Sequence, residues 1–260
     1  MLHFGLIGEK LGHSLSVPIH EAVWRKIGLD ADYRLIELAP DAFDAAVPRL
    51  MAELDGFNVT IPYKRRIIGC LADTDGDART IGAVNTVLCA GRTGHNTDVY
   101  GFRLMLESAG IDPAGKPCFI LGTGGASAAA CAALRGMGAG KVVFVSRSGR
   151  DGAVPYESLE ERFAGILVNC TPAGMWPDTE GCPLPVPLLR SLLKRADAAA
   201  DVIYNPRETV LLREAARAGI PCAGGMTMLI GQAVAAEEIW LGRSLPEGLT
   251  ETLARELKLL

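Results

Sequence analysis

A two-domain α/β fold is predicted for this 260-residue chain by three observations. Short apolar runs alternate with amphipathic helical stretches, a glycine-rich turn joins a strand to a helix near mid-chain, and apolar side chains are abundant. Strands that alternate with helices build parallel sheets. Hydrophobic residues make up 49% and charged residues 22%, which excludes intrinsic disorder. At roughly 150 residues per domain, one large or two modest domains fit the length.

Taken in order, Leu2–Ile7 reads as a strand, Pro18–Ile27 as a helix and Tyr33–Leu38 as a second strand. Asp41–Leu54 has helical spacing, and Gly56–Thr60 is short and apolar. Ile81–Ala90 reads as a strand pair that ends at the turn Ala90-Gly91-Arg92-Thr93-Gly94. A helix from Val99 to Ala109 is closed by Gly110, where left-handed geometry favours glycine. Cys118–Leu121 opens a second series: a helix over Ala126–Leu134 and strands at Lys141–Ser146, Gly165–Asn169, Ala199–Ile203 and Ile220–Ala223. Helices close the chain at Met228–Leu241 and Leu249–Leu259. The pattern predicts a first domain over 1–97 plus 228–260, interrupted by a second over 98–227.

The net charge of −4 argues against a nucleic-acid partner, whose binding surface is usually basic. No run approaches the ~18 apolar residues of a membrane span, and Met1–Ile7 lacks the features of a signal peptide. Seven cysteines without a CxxC pair, and four histidines confined to the first 95 residues, predict neither a metal site nor a disulfide framework. A reducing cytoplasm is the expected compartment.

Gly122-Thr123-Gly124-Gly125-Ala126-Ser127 lies between a strand and a helix, the setting of a dinucleotide fingerprint, with Ser127 at the place of the third glycine. Gly122 permits a tight turn, and Gly124 lets a pyrophosphate approach the N–H groups of the helix start. Twenty-two residues beyond Gly124 come Ser146-Arg147-Ser148 and then Arg150, with no carboxylate to take a ribose hydroxyl. A guanidinium fork matches a 2′-phosphate, so NADP is the expected cofactor. In Pro62-Tyr63-Lys64-Arg65-Arg66, Pro62 suits a first helical position, which would set three cations against the helix dipole. That is either a solvated helix start or an anion-facing site with Lys64 tuned for proton transfer. Thr97 and Asp98, like Ser14 and Ser16, are either helix caps or functional groups.

Together and in this order, the segments resemble the shikimate dehydrogenase family over essentially the whole chain. The motifs are Gly8…His13-Ser14-Leu15-Ser16…His20, Asn58-Val59-Thr60-Ile61-Pro62-Tyr63-Lys64 and Ile81-Gly82-Ala83-Val84-Asn85-Thr86. They continue with Asn96-Thr97-Asp98…Gly101, the Gly122–Ser127 loop and Asn169-Cys170-Thr171-Pro172-Ala173-Gly174-Met175. The last are Asp201-Val202-Ile203-Tyr204 and Gly225-Met226…Met228-Leu229…Gln232. Lys10, Val17, Glu21 and Glu237 depart from the residues usual in the family.

The resemblance implies reversible NADP-linked reduction of 3-dehydroshikimate to shikimate, with the active site in the cleft between two domains. It implies that Ser14 and Ser16 bind the substrate carboxylate, and that Thr60, Asn85, Tyr204 and Gln232 hold the ring and its hydroxyls. Lys64 and Asp98 would form the polar pair at the reacting oxygen, either of them carrying the proton. Gly122, Thr123, Gly124, Gly125 and Ala126, with Ser146, Arg147, Ser148 and Arg150, would take the pyrophosphate and adenosine end. Val202 and Gly225 would border the nicotinamide. No metal is implied, and both monomer and homodimer fit. The same chemistry on quinate or an aminoshikimate, with NADP or NAD, is the alternative. A non-catalytic NADP-binding sensor would dispense with Lys64 or Asp98, and both are present.

Overall fold

The computed structural model describes residues 1–12, 14–149 and 152–257, so His13 and Arg150 lie outside the described residues. The chain divides into two compact units, one of Met1–Thr97 with a segment that starts at Ile230, the other of Asp98–Leu229.

The first unit contains β1 (Leu2–Gly8), α1 (Ser16–Ile27), β2 (Ala31–Glu37), α2 (Phe43–Glu53) and β3 (Gly56–Val59). It continues with β4 (Asp73–Thr74), α3 (Gly76–Ile81), β5 (Thr86–Leu88) and β6 (Thr93–His95). The strands form one sheet in the order β2-β1-β3-β5-β6-β4. β1 pairs in parallel with β2 and β3, whereas β5 is antiparallel to β3 and β6. The apolar run of β1 is what an interior parallel strand with both faces covered requires. Phe43, Val47, Leu50, Phe57, Tyr63 and Ile67 fill the core between the sheet and α2.

The second unit runs α4 (Asp98–Ser108), β7 (Pro117–Leu121), α5 (Gly125–Gly136), β8 (Lys141–Ser146), β9 (Val154–Pro155) and α6 (Leu159–Arg162). Then come β10 (Gly165–Asn169), α7 (Val186–Leu193), β11 (Ala196–Asp201), α8 (Val210–Arg217) and β12 (Cys222–Gly224). Its sheet is parallel throughout, in the order β12-β11-β10-β7-β8-β9. The order reverses between β7 and β10, the switch point at which doubly wound sheets hold ligands. Apolar clusters cover both faces, one around Phe102, Met105 and Leu134, the other around Phe119, Leu189 and Leu211. The chain ends in α9 (Gly225–Leu241) and α10 (Leu249–Glu256). No helix of the described residues is long and apolar enough to cross a membrane.

Two expectations fail. Ile81–Ala90 is not a strand pair: Ile81 ends α3, a single strand follows, and its partner β6 comes after the glycine turn. Apolar spacing alone does not separate a buried helix end from a strand. Nor does Pro62 start an α-helix. Residues 62–65 form a turn, and a short 3-10 helix begins only at Arg66. Tertiary anchors decide this. Tyr63 buries its ring against Phe43 at 4.5 Å and donates its hydroxyl to the Leu38 carbonyl at 2.5 Å, while Arg66 reaches Asp44 at 2.6 Å.

Trp240 ties α9 to the sheet. Its ring stacks on Phe4 at 4.6 Å, and its indole N–H donates to the Val87 carbonyl at 2.9 Å. A Cβ on Gly56 would overlap that indole. Gly56→Ala is therefore expected to destabilise the protein by about 1–3 kcal/mol through overpacking, read as a lower midpoint in urea unfolding.

Candidate active site

A buried polar chain runs through the first unit. Ser14, in the loop before α1, donates to Ser16 Oγ at 3.0 Å, and a separate series starts at Tyr33 on β2. Tyr33 donates to Asn58 Oδ1 at 2.7 Å, and the Asn58 amide reaches the Asn85 carbonyl at 3.2 Å and Thr86 Oγ1 at 3.0 Å. Asn85 Oδ1 accepts from the Thr97 N–H at 2.8 Å and from the Thr86 hydroxyl at 3.1 Å. Asn85 Nδ2 donates to Thr97 Oγ1 at 3.0 Å, and Thr97 contacts Gln232 Oε1 at 3.4 Å. Asn58, Asn85, Thr86 and Thr97 are buried, whereas Ser14, Ser16 and Gln232 stay partly exposed. A rigid interior with solvated polar groups suits a small polyol acid.

The serines are not spent on capping: α1 has no side-chain cap, and Ser14 Oγ instead accepts from the Ser16 N–H at 3.2 Å. Four of the six residues assigned to substrate take part in these bonds: Ser14 and Ser16 with each other, and Asn85 and Gln232 through Thr97. Thr60 follows β3, half-buried, with its N–H on the Ile7 carbonyl at 2.9 Å. Lys64 is half-buried in the turn after Pro62, and its carbonyl accepts from the Val84 N–H at 2.7 Å, which fixes it to the segment carrying Asn85. With no α-helix at Pro62, the dipole argument for Lys64 falls. Asp98 is buried at the first position of α4, directly after Thr97.

In the second unit the residues expected at a dinucleotide gather at the C-terminal ends of the strands. Gly122 has a φ of +107°, and a Cβ there would press on the Cys170 carbonyl, Ser127 Oγ and Thr171 at 3.2 Å. Thr123, Gly124 and Gly125 are exposed, with open space where a Cβ on either glycine would stand. The start of α5 has neither a side-chain cap nor an acidic residue in its first turn. Exposed backbone at a helix N-terminus fits a pyrophosphate. Ser146 ends β8 and accepts from the Gly149 N–H at 3.1 Å, while Arg147 and Ser148 are exposed. A Cβ on Gly225 would overlap the backbone of Val202, so only glycine lets α9 start against that strand end. Tyr204 is half-buried two residues beyond Val202, and burial raises its phenol pKa. These residues fit NADP.

The second unit also holds a carboxylate to which the sequence motifs assign no role. Asp201, fully buried at the end of β11, accepts from Asn169 Nδ2 at 3.0 Å, the Ile203 N–H at 3.1 Å and the Thr209 hydroxyl at 2.7 Å. It staples β10, the Val202–Tyr204 segment and the start of α8. Tyr33, inside a run read only as a strand, is the other omission. The sequence offers no signal that singles it out, since Asp32, Arg34 and Glu37 of the same strand are polar too.

A parallel sheet with this strand order and an open glycine turn after its first strand defines a doubly wound α/β protein of the dinucleotide-holding class. The profile of the shikimate dehydrogenase substrate binding domain matches residues 6–87. A shikimate dehydrogenase (NADP(+)) of Clostridium perfringens (strain SM101 / Type A) is 40% identical over 271 residues, covering 98% of each chain. The crystal structure of a chorismate mutase/shikimate 5-dehydrogenase fusion protein from Clostridium acetobutylicum has a TM-score of 0.93 at 33% identity, over 99% of this chain and 97% of that one. Shikimate 5-dehydrogenase of Thermus thermophilus, solved in complex with NADP(H) and shikimate, has a TM-score of 0.88 at 32% identity, over 100% of both chains. The chain belongs to the shikimate dehydrogenase family.

Burial pushes the Asp201 carboxyl up to about 6, against the three donors that lower it. The folded protein thus holds this proton more tightly than an unfolded aspartate, whose pKa is about 3.9. The contribution of Asp201 to stability is greatest in acid and declines as pH rises from about 4 to about 6. Denaturant unfolding at a series of pH values is expected to show wild type losing ground to Asp201→Asn across that window and holding level above it.

Proposed function

We propose that this chain catalyses the reversible NADP-linked reduction of 3-dehydroshikimate to shikimate, a step of aromatic amino acid (chorismate) biosynthesis. The observation that carries the reading is a polar set, made of the Ser14–Ser16 pair and the buried chain from Tyr33 to Gln232. It offers hydroxyls for a carboxylate and amide groups for ring hydroxyls. Residues 1–97 plus 228–260 serve as the substrate-binding and catalytic domain, and 98–227 as the NADP domain. Ser14 and Ser16 bind the carboxylate, and Thr60, Asn85, Tyr204 and Gln232 orient the ring.

Bound NADPH supplies the hydride for the carbonyl carbon. Lys64 places positive charge where the carbonyl oxygen gains negative charge, which stabilises the transition state. Asp98 orients the reacting oxygen, and one of the two residues delivers its proton. Gly122, Thr123, Gly124, Gly125 and Ala126 hold the pyrophosphate through backbone N–H groups. Ser146, Arg147 and Ser148 hold the adenosine end, where the Arg147 guanidinium suits the 2′-phosphate. Val202 and Gly225 border the nicotinamide. All seven cysteines are free thiols, which supports a reducing cytoplasm.

The test is the absorbance of NADPH with shikimate or quinate, each paired with NADP+ or NAD+, for wild type and Lys64→Ala. Turnover is expected chiefly with shikimate and NADP+, and a fall in kcat of about 100-fold or more in the variant. Preference for quinate or NAD+ would move the assignment to a quinate/shikimate enzyme. NADPH binding without turnover of any pair would contradict an enzyme.

A further inference from the structure

We infer that Asn169 is a positioning residue for the cofactor: with Asp201 it sets the spacing between the glycine turn and the strand end at Val202. The inference rests on the reading of residues 122–126 as the pyrophosphate site and of Val202 and Gly225 as the nicotinamide border. Asn169 is the last residue of β10, a strand at the switch point of the sheet, and it is fully buried. Its register partners are Leu121 of β7 on one side and Asp201 of β11 on the other. The residues that follow those two are Gly122 and Val202. One asparagine therefore stands between the two ends of the dinucleotide's track.

Its side chain is committed in both directions. The amide oxygen accepts from the Thr171 N–H at 3.0 Å and from the Thr171 hydroxyl at 2.7 Å. A backbone N–H can only donate, so the oxygen must face Thr171 and the NH2 must face Asp201, which it meets at 3.0 Å. Toward the turn, the Cys170 N–H donates to the Leu121 carbonyl at 2.9 Å. The Cys170 carbonyl and the Thr171 methyl stand 3.2 Å from where a Cβ on Gly122 would be. Toward the other end, the Asp201 oxygen that takes the amide also takes the Ile203 N–H at 3.1 Å. The Val202 N–H donates to the Asn169 carbonyl at 3.1 Å, and the Gly225 N–H to the Ile203 carbonyl at 3.1 Å. The links run without a gap from Gly122 to Gly225.

A ligand held at two points gains from both only where their spacing is set before it arrives. Stability alone does not call for this bridge. Burial pushes the Asp201 carboxyl up to about 6 despite its three donors, and burying a carboxylate carries a cost that apolar packing would avoid. Position is the property that the bridge supplies.

The test is calorimetric binding of NADP+ and of 2′-phospho-ADP-ribose, which keeps the pyrophosphate and adenosine but lacks the nicotinamide. In Asn169→Ala, NADP+ affinity is expected to weaken about 5–10-fold, the loss of one hydrogen bond. Affinity for the fragment is expected to stay within about twofold of wild type, and kcat to fall about tenfold. Thr171→Val, at a partly exposed position, removes one bond of the bridge and is expected to show the same selectivity at about two- to threefold. Thr209→Val loses the bond on the far side of Asp201, and is expected to lower the urea midpoint while binding both ligands as wild type does. Equal losses for both ligands in Asn169→Ala, no loss of either, or the same selective loss in Thr209→Val overturns the positioning role alone. If Asn169→Ala does not fold, Thr171→Val decides, and a loss that is absent or shared equally overturns the role. A wild-type protein that binds neither ligand overturns the assignment of the second unit, and this inference with it.

Discussion

Asn85 lies in the turn between α3 and β5, buried, with its side-chain amide engaged at both ends. Its carbonyl oxygen takes the Thr97 N–H and the Thr86 hydroxyl, and its NH2 goes to Thr97 Oγ1. Its backbone bonds to Val59 at 2.8 Å and to His95 at 3.0 Å. One residue thus fixes the end of β3, the start of β5 and the approach to Asp98. A buried polar atom that loses its partner costs about 1–3 kcal/mol, so each of these segments is held to its register by the others.

The arrangement of the first unit follows from that constraint. Asn58 must point its amide toward Asn85, which turns its carbonyl oxygen to Tyr33. Lys64 rides on the same framework through the Val84 N–H, so the cation is placed by backbone pairing rather than by a helix. In the second unit Asp201 has the corresponding place. It gathers Asn169, Thr209 and the Ile203 N–H, and so sets the strand end that faces Gly225.

Much of this was legible in the sequence, for identifiable reasons. β8 and β10 have the bounds read from their apolar runs, because interior parallel strands carry little else. The glycine turn was legible because Gly122 needs a conformation that other residues avoid. The Pro62–Arg66 segment was misread because its geometry depends on Phe43, Leu38 and Asp44, about twenty residues away in sequence. Tyr33 and Glu237 were unreadable as partners for the same reason. Their links to His20 exist only once α1, β2 and α9 are packed together.

The central claim is that a pre-formed hydrogen-bonded chain, rather than any single side chain, makes the substrate site. Calorimetric binding of shikimate and of NADP+ to wild type and to Thr86→Val tests it most directly. The substitution keeps the shape and removes the hydroxyl that links Asn58 to Asn85. The expected result is shikimate affinity weakened by about tenfold, equivalent to about 1.4 kcal/mol, with NADP+ affinity unchanged. Unaltered shikimate affinity in a folded Thr86→Val protein, or equal weakening of both ligands, would contradict the claim.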